Sequence, residues 1–136
     1  MDVRRGNARE IGLDKKAKVG LLLARGERCE ACGWAPPAVR TPNGRRDSMM
    51  ELHHVLPSSY GGSRDPENLV LLCPNHHAVA HAAWPLQQDR PDRPRLPWRG
   101  PADRAAILSE LREIDADPAA WRSRRQHALV RAIDED

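Results

Sequence analysis

The sequence predicts an α+β fold: a strand–loop–strand–helix core, with one helix before it and a helical pair after it. Three observations carry this. Residues 50–83 read in order as an apolar run, a Gly/Ser/Pro-rich loop, a second apolar run and a helix opened by proline. Aromatic residues are scarce, with no Phe, one Tyr and four Trp, so the core is thin for 136 residues. Five of the six histidines and one of the three cysteines fall between residues 51 and 81, which suggests that the thin core is stapled by metal.

The elements follow in order. Asp14 is positioned to cap a helix over 15–25, with Ala17, Leu21 and Leu22 as its apolar stripe. Cys29-Glu30-Ala31-Cys32-Gly33 is a tight knuckle. Residues 38–50 contain Asn43-Gly44, a two-residue hairpin signal, with Arg45 and Arg46 just beyond it. Met50 to Leu56 reads as a strand stopped by Pro57, and Ser58 to Glu67 as a loop. Residues 68–72 form a buried strand, and Pro74 opens a helix over 74–83 with His76, Val79 and Ala83 on its inner side. Residues 85–101 hold five prolines and four arginines and read as a linker or surface wrap. Asp103 caps a helix over 104–114 with Ile107, Leu108, Leu111 and Ile114 along one side. Asp117-Pro118 opens a last helix over 118–133, with Trp121, Ala128, Leu129 and Ile133 buried. The expected organisation is a basic arm and helix at 1–28, a core at 29–84, the linker at 85–101 and a helical extension at 102–136.

Charge is uneven. Residues 1–46 carry eleven Lys/Arg against five Asp/Glu (+6), residues 47–84 one against four (−3), and residues 85–136 ten against ten. A basic third beside a histidine-rich centre suits a polyanion held near a metal, or else a solvated basic surface. No stretch approaches the roughly 18 apolar residues of a membrane span. The N-terminus lacks the apolar region of a secretion signal. The expected location is therefore cytoplasmic, with no membrane partner. There, Cys-x-x-Cys reads as a metal or redox pair rather than a disulfide.

Cys29-x-x-Cys32 and Cys73-x-x-His76 are two knuckles of matching spacing, which together supply the four tetrahedral ligands of a structural zinc and use every cysteine. His76 and His77 lie about 100° apart around a helix, so they cannot easily serve one ion. His77 and His81, four apart, share a face and can hold a second, catalytic divalent metal. His53-His54 is the source of a third ligand. Adjacent strand residues point to opposite sides, so spacing alone gives one ligand and one residue with another job. Glu51 is a candidate partner for a ligand imidazole or a surface ion-pair residue.

The run "LHHVLP…GG…NLVLLCPNHHAVAH" behind "CEACG" closely resembles the HNH endonucleases over residues 29–84. The resemblance implies a ββα-metal, treble-clef-like core and hydrolysis of DNA, in double-stranded form, to 5′-phosphate and 3′-hydroxyl ends. It implies His54 as general base, His53 and His77 as catalytic-metal ligands, and Asn68 as the residue that braces the loop and orients the base. The His-x-x-x-His spacing resembles the colicin-type nucleases and adds His81. Two departures stand out: many relatives have Asp where His53 stands and Cys where His76 stands. An all-imidazole site is softer than a carboxylate one, so Mn2+, Ni2+, Co2+ or Zn2+ compete with Mg2+. Lys15, Lys16, Lys18, Arg45, Arg46 and Arg64 are the candidate phosphate contacts. The C-terminal helices offer a surface for a homodimer. A non-catalytic, zinc-stapled DNA-binding module is the alternative. A zinc hydrolase acting on a small molecule is disfavoured by the lack of His-Glu-x-x-His.

Overall fold

The computed structural model describes residues 8–37, 49–86 and 97–135. Among them are four α-helices and two strands: α1 (Ala8–Arg25), β1 (Glu51–His54), β2 (Leu69–Leu72), α2 (Pro74–Ala83), α3 (Arg104–Ala116) and α4 (Pro118–Glu135). The α+β class and the strand–strand–helix order are as the sequence predicts. The hairpin at Asn43-Gly44, with Arg45 and Arg46, lies outside the described residues.

β1 and β2 pair antiparallel, with Glu51 opposite Leu72 and His54 opposite Leu69. β1 is shorter than the 50–56 run. Beyond His54, Val55 N still donates to Asn68 O (2.8 Å), but Leu56 N donates to the Asn68 side chain (2.8 Å). Asn68 Nδ2 returns bonds to Leu56 O and Ser63 O. One side chain thus replaces the next ladder rung and holds both ends of the loop. The loop needs its glycine pair. Gly61 sits at φ 88°, and a Cβ on Gly62 would meet Leu56 O at 1.7 Å.

All four residues of β2 are buried, because core covers both faces of the sheet there. Leu21 of α1, Met50, Val55, Ala80 of α2, Trp84, and Ile107 and Leu111 of α3 belong to the same core. The fully buried residue of α2 is Ala80, with Val79 and Ala83 partly covered beside it. The free edge of β2 is closed by Glu30, through backbone and side chain, and by Arg25 instead of a third strand. Leu71 O accepts from Glu30 N (2.9 Å), and Leu71 N donates to Glu30 Oε2 (2.7 Å). Arg25 Nη1 donates to Glu30 Oε2 (3.0 Å) and to Leu69 O (2.7 Å), and Arg104 closes on Glu30 Oε1. Every polar group of that edge segment has a partner, as a buried edge requires. Glu30→Ala would strand two part-buried guanidiniums and the Leu71 amide. It should cost about 3 kcal/mol or more in chemical unfolding of the metal-loaded protein; a loss under about 1 kcal/mol would mean that water serves these groups as well as Glu30 does.

Two expectations are corrected. Asp14 does not cap α1, which begins at Ala8; nothing in residues 8–13 stops a helix, and Gly12 costs only about 1 kcal/mol. Ala128 is exposed and Leu129 only partly covered, because α4 packs along α3 rather than into the core. Trp121 is the contact that anchors α4. It packs edge-on against Trp84 and donates through Nε1 to Glu110 (3.0 Å). His127 is exposed. In the wrap, Trp98 packs against the core and Pro101 is buried. Asp103 caps α3 as expected, accepting from Ala106 N (2.8 Å).

Candidate metal centres and active-site cleft

Helix α2 carries donors on two sides. Cys73 is its N-cap, and Pro74 sets its first turn. On the inner side His76 Nδ1 lies 3.3 Å from Cys73 Sγ and 3.9 Å from Cys29 Sγ. The donor atoms of Cys29, Cys32, Cys73 and His76 all fall within 4.8 Å of one another. A tetrahedral zinc with bonds of about 2.3 Å to S and about 2.0 Å to N would have S···N edges of about 3.5 Å. The four residues fit such an ion. Gly33, at φ 80°, closes the Cys29 knuckle by donating to Cys29 O (2.8 Å).

The thiols show why a cation suits them. Burial opposes a Cys29 thiolate, but backbone donors of Cys73, Cys32 and Ala31 outweigh it and bring its pKa below the ordinary value. Desolvation, together with the sulfurs of Cys29 and Cys73, pushes Cys32 up to about 11. Cys32 thus resists a negative charge beside its neighbours unless a cation shares it. Asp115 of α3 completes the arrangement at His76. Its Oδ2 lies 2.7 Å from Nε2, so Nε2 holds the proton and the Nδ1 lone pair faces the sulfurs. The sequence offered no sign of Asp115 in this role.

On the outer side of α2, His77 and His81 bring their Nε2 atoms to 3.0 Å, and His53 of β1 packs edge-on to both rings at 5.4 and 5.2 Å. The three donor atoms lie within 4.8 Å of one another. Glu51 holds His77 by Nδ1, which leaves the Nε2 lone pair facing His81. His53 is held neutral, its pKa lowered to about 3 by burial and by the neighbouring imidazoles of His77, His81 and His54. His81 is lowered too, first by burial and then by His77. Converging imidazole nitrogens are what a divalent ion of the transition series binds. The structure therefore separates His76 from His77 as the helix geometry requires.

His53 and His54, expected to diverge, both line one open cleft of about 460 Å³ with His77, His81 and Asp14. His54 is half-buried, and its pKa is lowered mainly by burial, with Asp14 opposing and Arg64 adding to the effect. It is neutral near pH 7. Asn68 lies on the loop behind it, bonded to Leu56 and Ser63 rather than to an imidazole among the described contacts. Asp14, reaching over from α1, accepts from Arg64 Nε (2.7 Å) and stands 4.0 Å from His54 Nε2. Lys15 and Lys16 are exposed on the same helix, and Lys18 is partly covered.

A two-stranded sheet and a helix that presents one donor cluster inward and another into a cleft define a small α+β domain with two candidate metal centres. Residues 29–82 match the HNH endonuclease family, and that segment is an HNH endonuclease domain. Among curated proteins the chain is similar to the type IV methyl-directed restriction enzyme EcoKMcrA of Escherichia coli (strain K12), at 35% identity over 68 residues, which is 50% of this chain and 24% of that one. It is also similar to two proteins of Enterobacteria phage T4. With probable mobile endonuclease D it shares 44% identity over 46 residues (34% of this chain, 17% of the relative). With probable mobile endonuclease E it shares 53% over 32 residues (24% and 23%). The chain thus spans about a quarter or less of the length of these relatives. No helix among the described residues is long and apolar enough to cross a membrane.

Proposed function

We propose that this protein is a metal-dependent endonuclease that hydrolyses phosphodiester bonds of DNA. The observation that carries the reading is the convergence of His53, His77 and His81 in the cleft that His54 also lines, within an HNH domain. A purely DNA-binding module would leave this second cluster without work.

Zinc is the ion proposed for Cys29, Cys32, Cys73 and His76, where it would tie the N-terminal knuckle to the start of α2. A second divalent ion held by His53, His77 and His81 would supply positive charge to the phosphoryl and leaving oxygens. Every other step belongs to side chains. His54 accepts a proton from water as the water oxygen bonds to phosphorus, the bond from phosphorus to the 3′ oxygen breaks in line, and the departing 3′ oxygen takes a proton from solvent to become the hydroxyl. Asn68 holds the loop that follows His54. Glu51 fixes the ring of His77. Arg64 beside Asp14, Lys15, Lys16 and Lys18 on α1, and Arg45 and Arg46 outside the described residues are the proposed phosphate contacts. Residues 29–84 form the catalytic core in this reading, and α3–α4 remain a candidate homodimer surface.

Plasmid DNA incubated with the purified protein and Mg2+, Mn2+, Co2+, Ni2+ or Zn2+ in turn tests this. Cleavage with at least one ion, leaving 5′-phosphate and 3′-hydroxyl ends, is expected. Intact plasmid under every ion, from protein that holds both metals, would overturn the reading.

A further inference from the structure

Asp14 lies on α1, outside the matched segment 29–82, yet its carboxylate is in the cleft. The placement is held. Arg64 Nε donates to Asp14 Oδ1 at 2.7 Å, fixing the same oxygen that stands 4.0 Å from His54 Nε2. That separation is too long for a hydrogen bond. It is also too short for a water lying on the line between the two atoms. It suits one water standing off that line. A water that donates both hydrogens, each to an acceptor about 2.8 Å from its oxygen, spans acceptors about 4.0–4.4 Å apart at angles near its own bond angle. A carboxylate oxygen has a second lone pair, so Oδ1 can accept from Arg64 and from such a water together. The oxygen's lone pairs would then face away from both acceptors.

We propose that Asp14 is a further catalytic residue: its carboxylate and His54 together hold the attacking water, Asp14 accepting the hydrogen that is retained and His54 the one that is removed. This rests on the nuclease reading above. As the water oxygen bonds to phosphorus, one O–H bond breaks toward His54 and the other stays intact. The retained hydrogen ends on the new 5′-phosphate. Asp14 gains no proton. Its contribution is orientation, since an otherwise freely turning water presents a lone pair to phosphorus only part of the time.

A negative charge in a DNA cleft is unfavourable for binding, which separates this role from a grip on the substrate. Asp14→Ala should lower kcat at least about tenfold on plasmid and also on bis(4-nitrophenyl) phosphate, a small diester that needs no DNA grip. DNA affinity, read by fluorescence anisotropy without the catalytic ion, should be unchanged or tighter. Asp14→Asn, of the same shape and still offering a carbonyl oxygen, should fall between. It carries the test if the alanine variant loses its thermal transition. Unchanged or faster turnover in these variants, as expected if Asp14 merely occupies the phosphate position, would overturn the proposal. So would a loss confined to KM. An inactive wild-type protein would instead sink the nuclease reading itself.

Discussion

Stripping the ion from Cys29, Cys32, Cys73 and His76 should unfold the protein. Zinc at sites of this kind contributes on the order of 10 kcal/mol of apparent binding energy at neutral pH. A domain's whole stability is about 5–15 kcal/mol. The core cannot make up the difference: its large buried side chains are a few Leu, Ile, Val and Met, with Trp84 the one aromatic fully inside among the described residues. Cys73 is doubly placed, as donor and as the N-cap whose sulfur accepts from His76 N. Asp115 of α3 leans on His76, so losing the ion also loosens the contact between α2 and α3. A Cys29→Ala/Cys73→Ala variant, or wild type dialysed against a strong chelator, should lose its cooperative thermal transition and its far-ultraviolet helical signal. A variant that melts at the wild-type temperature without zinc would refute the staple.

His54→Ala should cut the cleavage rate by about 10²–10⁴-fold, the span that a positioned general base contributes. The side chain lies outside the buried core: it is half-buried, at the end of β1, lining a cleft. Fold, metal content and DNA affinity should therefore stay near wild type while single-turnover cleavage collapses. That combination separates a proton acceptor from a ligand, since losing His53 or His77 should cost metal as well. Undiminished cleavage by His54→Ala would remove it from the mechanism.

What was legible in the sequence follows from range. The Cys-x-x-Cys and Cys-x-x-His knuckles, the His77–His81 pair and the proline that opens α2 are local spacings, set by the geometry of one turn, and the structure groups those donors accordingly. β2 was legible because a strand buried on both faces is apolar throughout. The contacts that complete the sites were not legible. Asp14 with Arg64, Asp115 with His76, and Glu30 with Arg104 join residues far apart in the chain, and a single carboxylate in a helix carries no signal of its distant partner. Asp14 looked like a helix cap because local chemistry favours Asp there; tertiary placement gave it another partner. Glu51 was legible only as a choice between two partners, and the structure pairs it with His77. On an ideal strand His53 and His54 would diverge. The strand ends at His54, and both rings can open onto the same cleft.

The two-centre arrangement is tested most directly by counting ions. Elemental analysis of protein saturated with Mn2+ and then freed of unbound metal should return one zinc and one manganese per chain. A His77→Ala/His81→Ala variant should keep the zinc and lose the manganese. One ion per chain in the wild type, with the same count in that variant, would contradict the account.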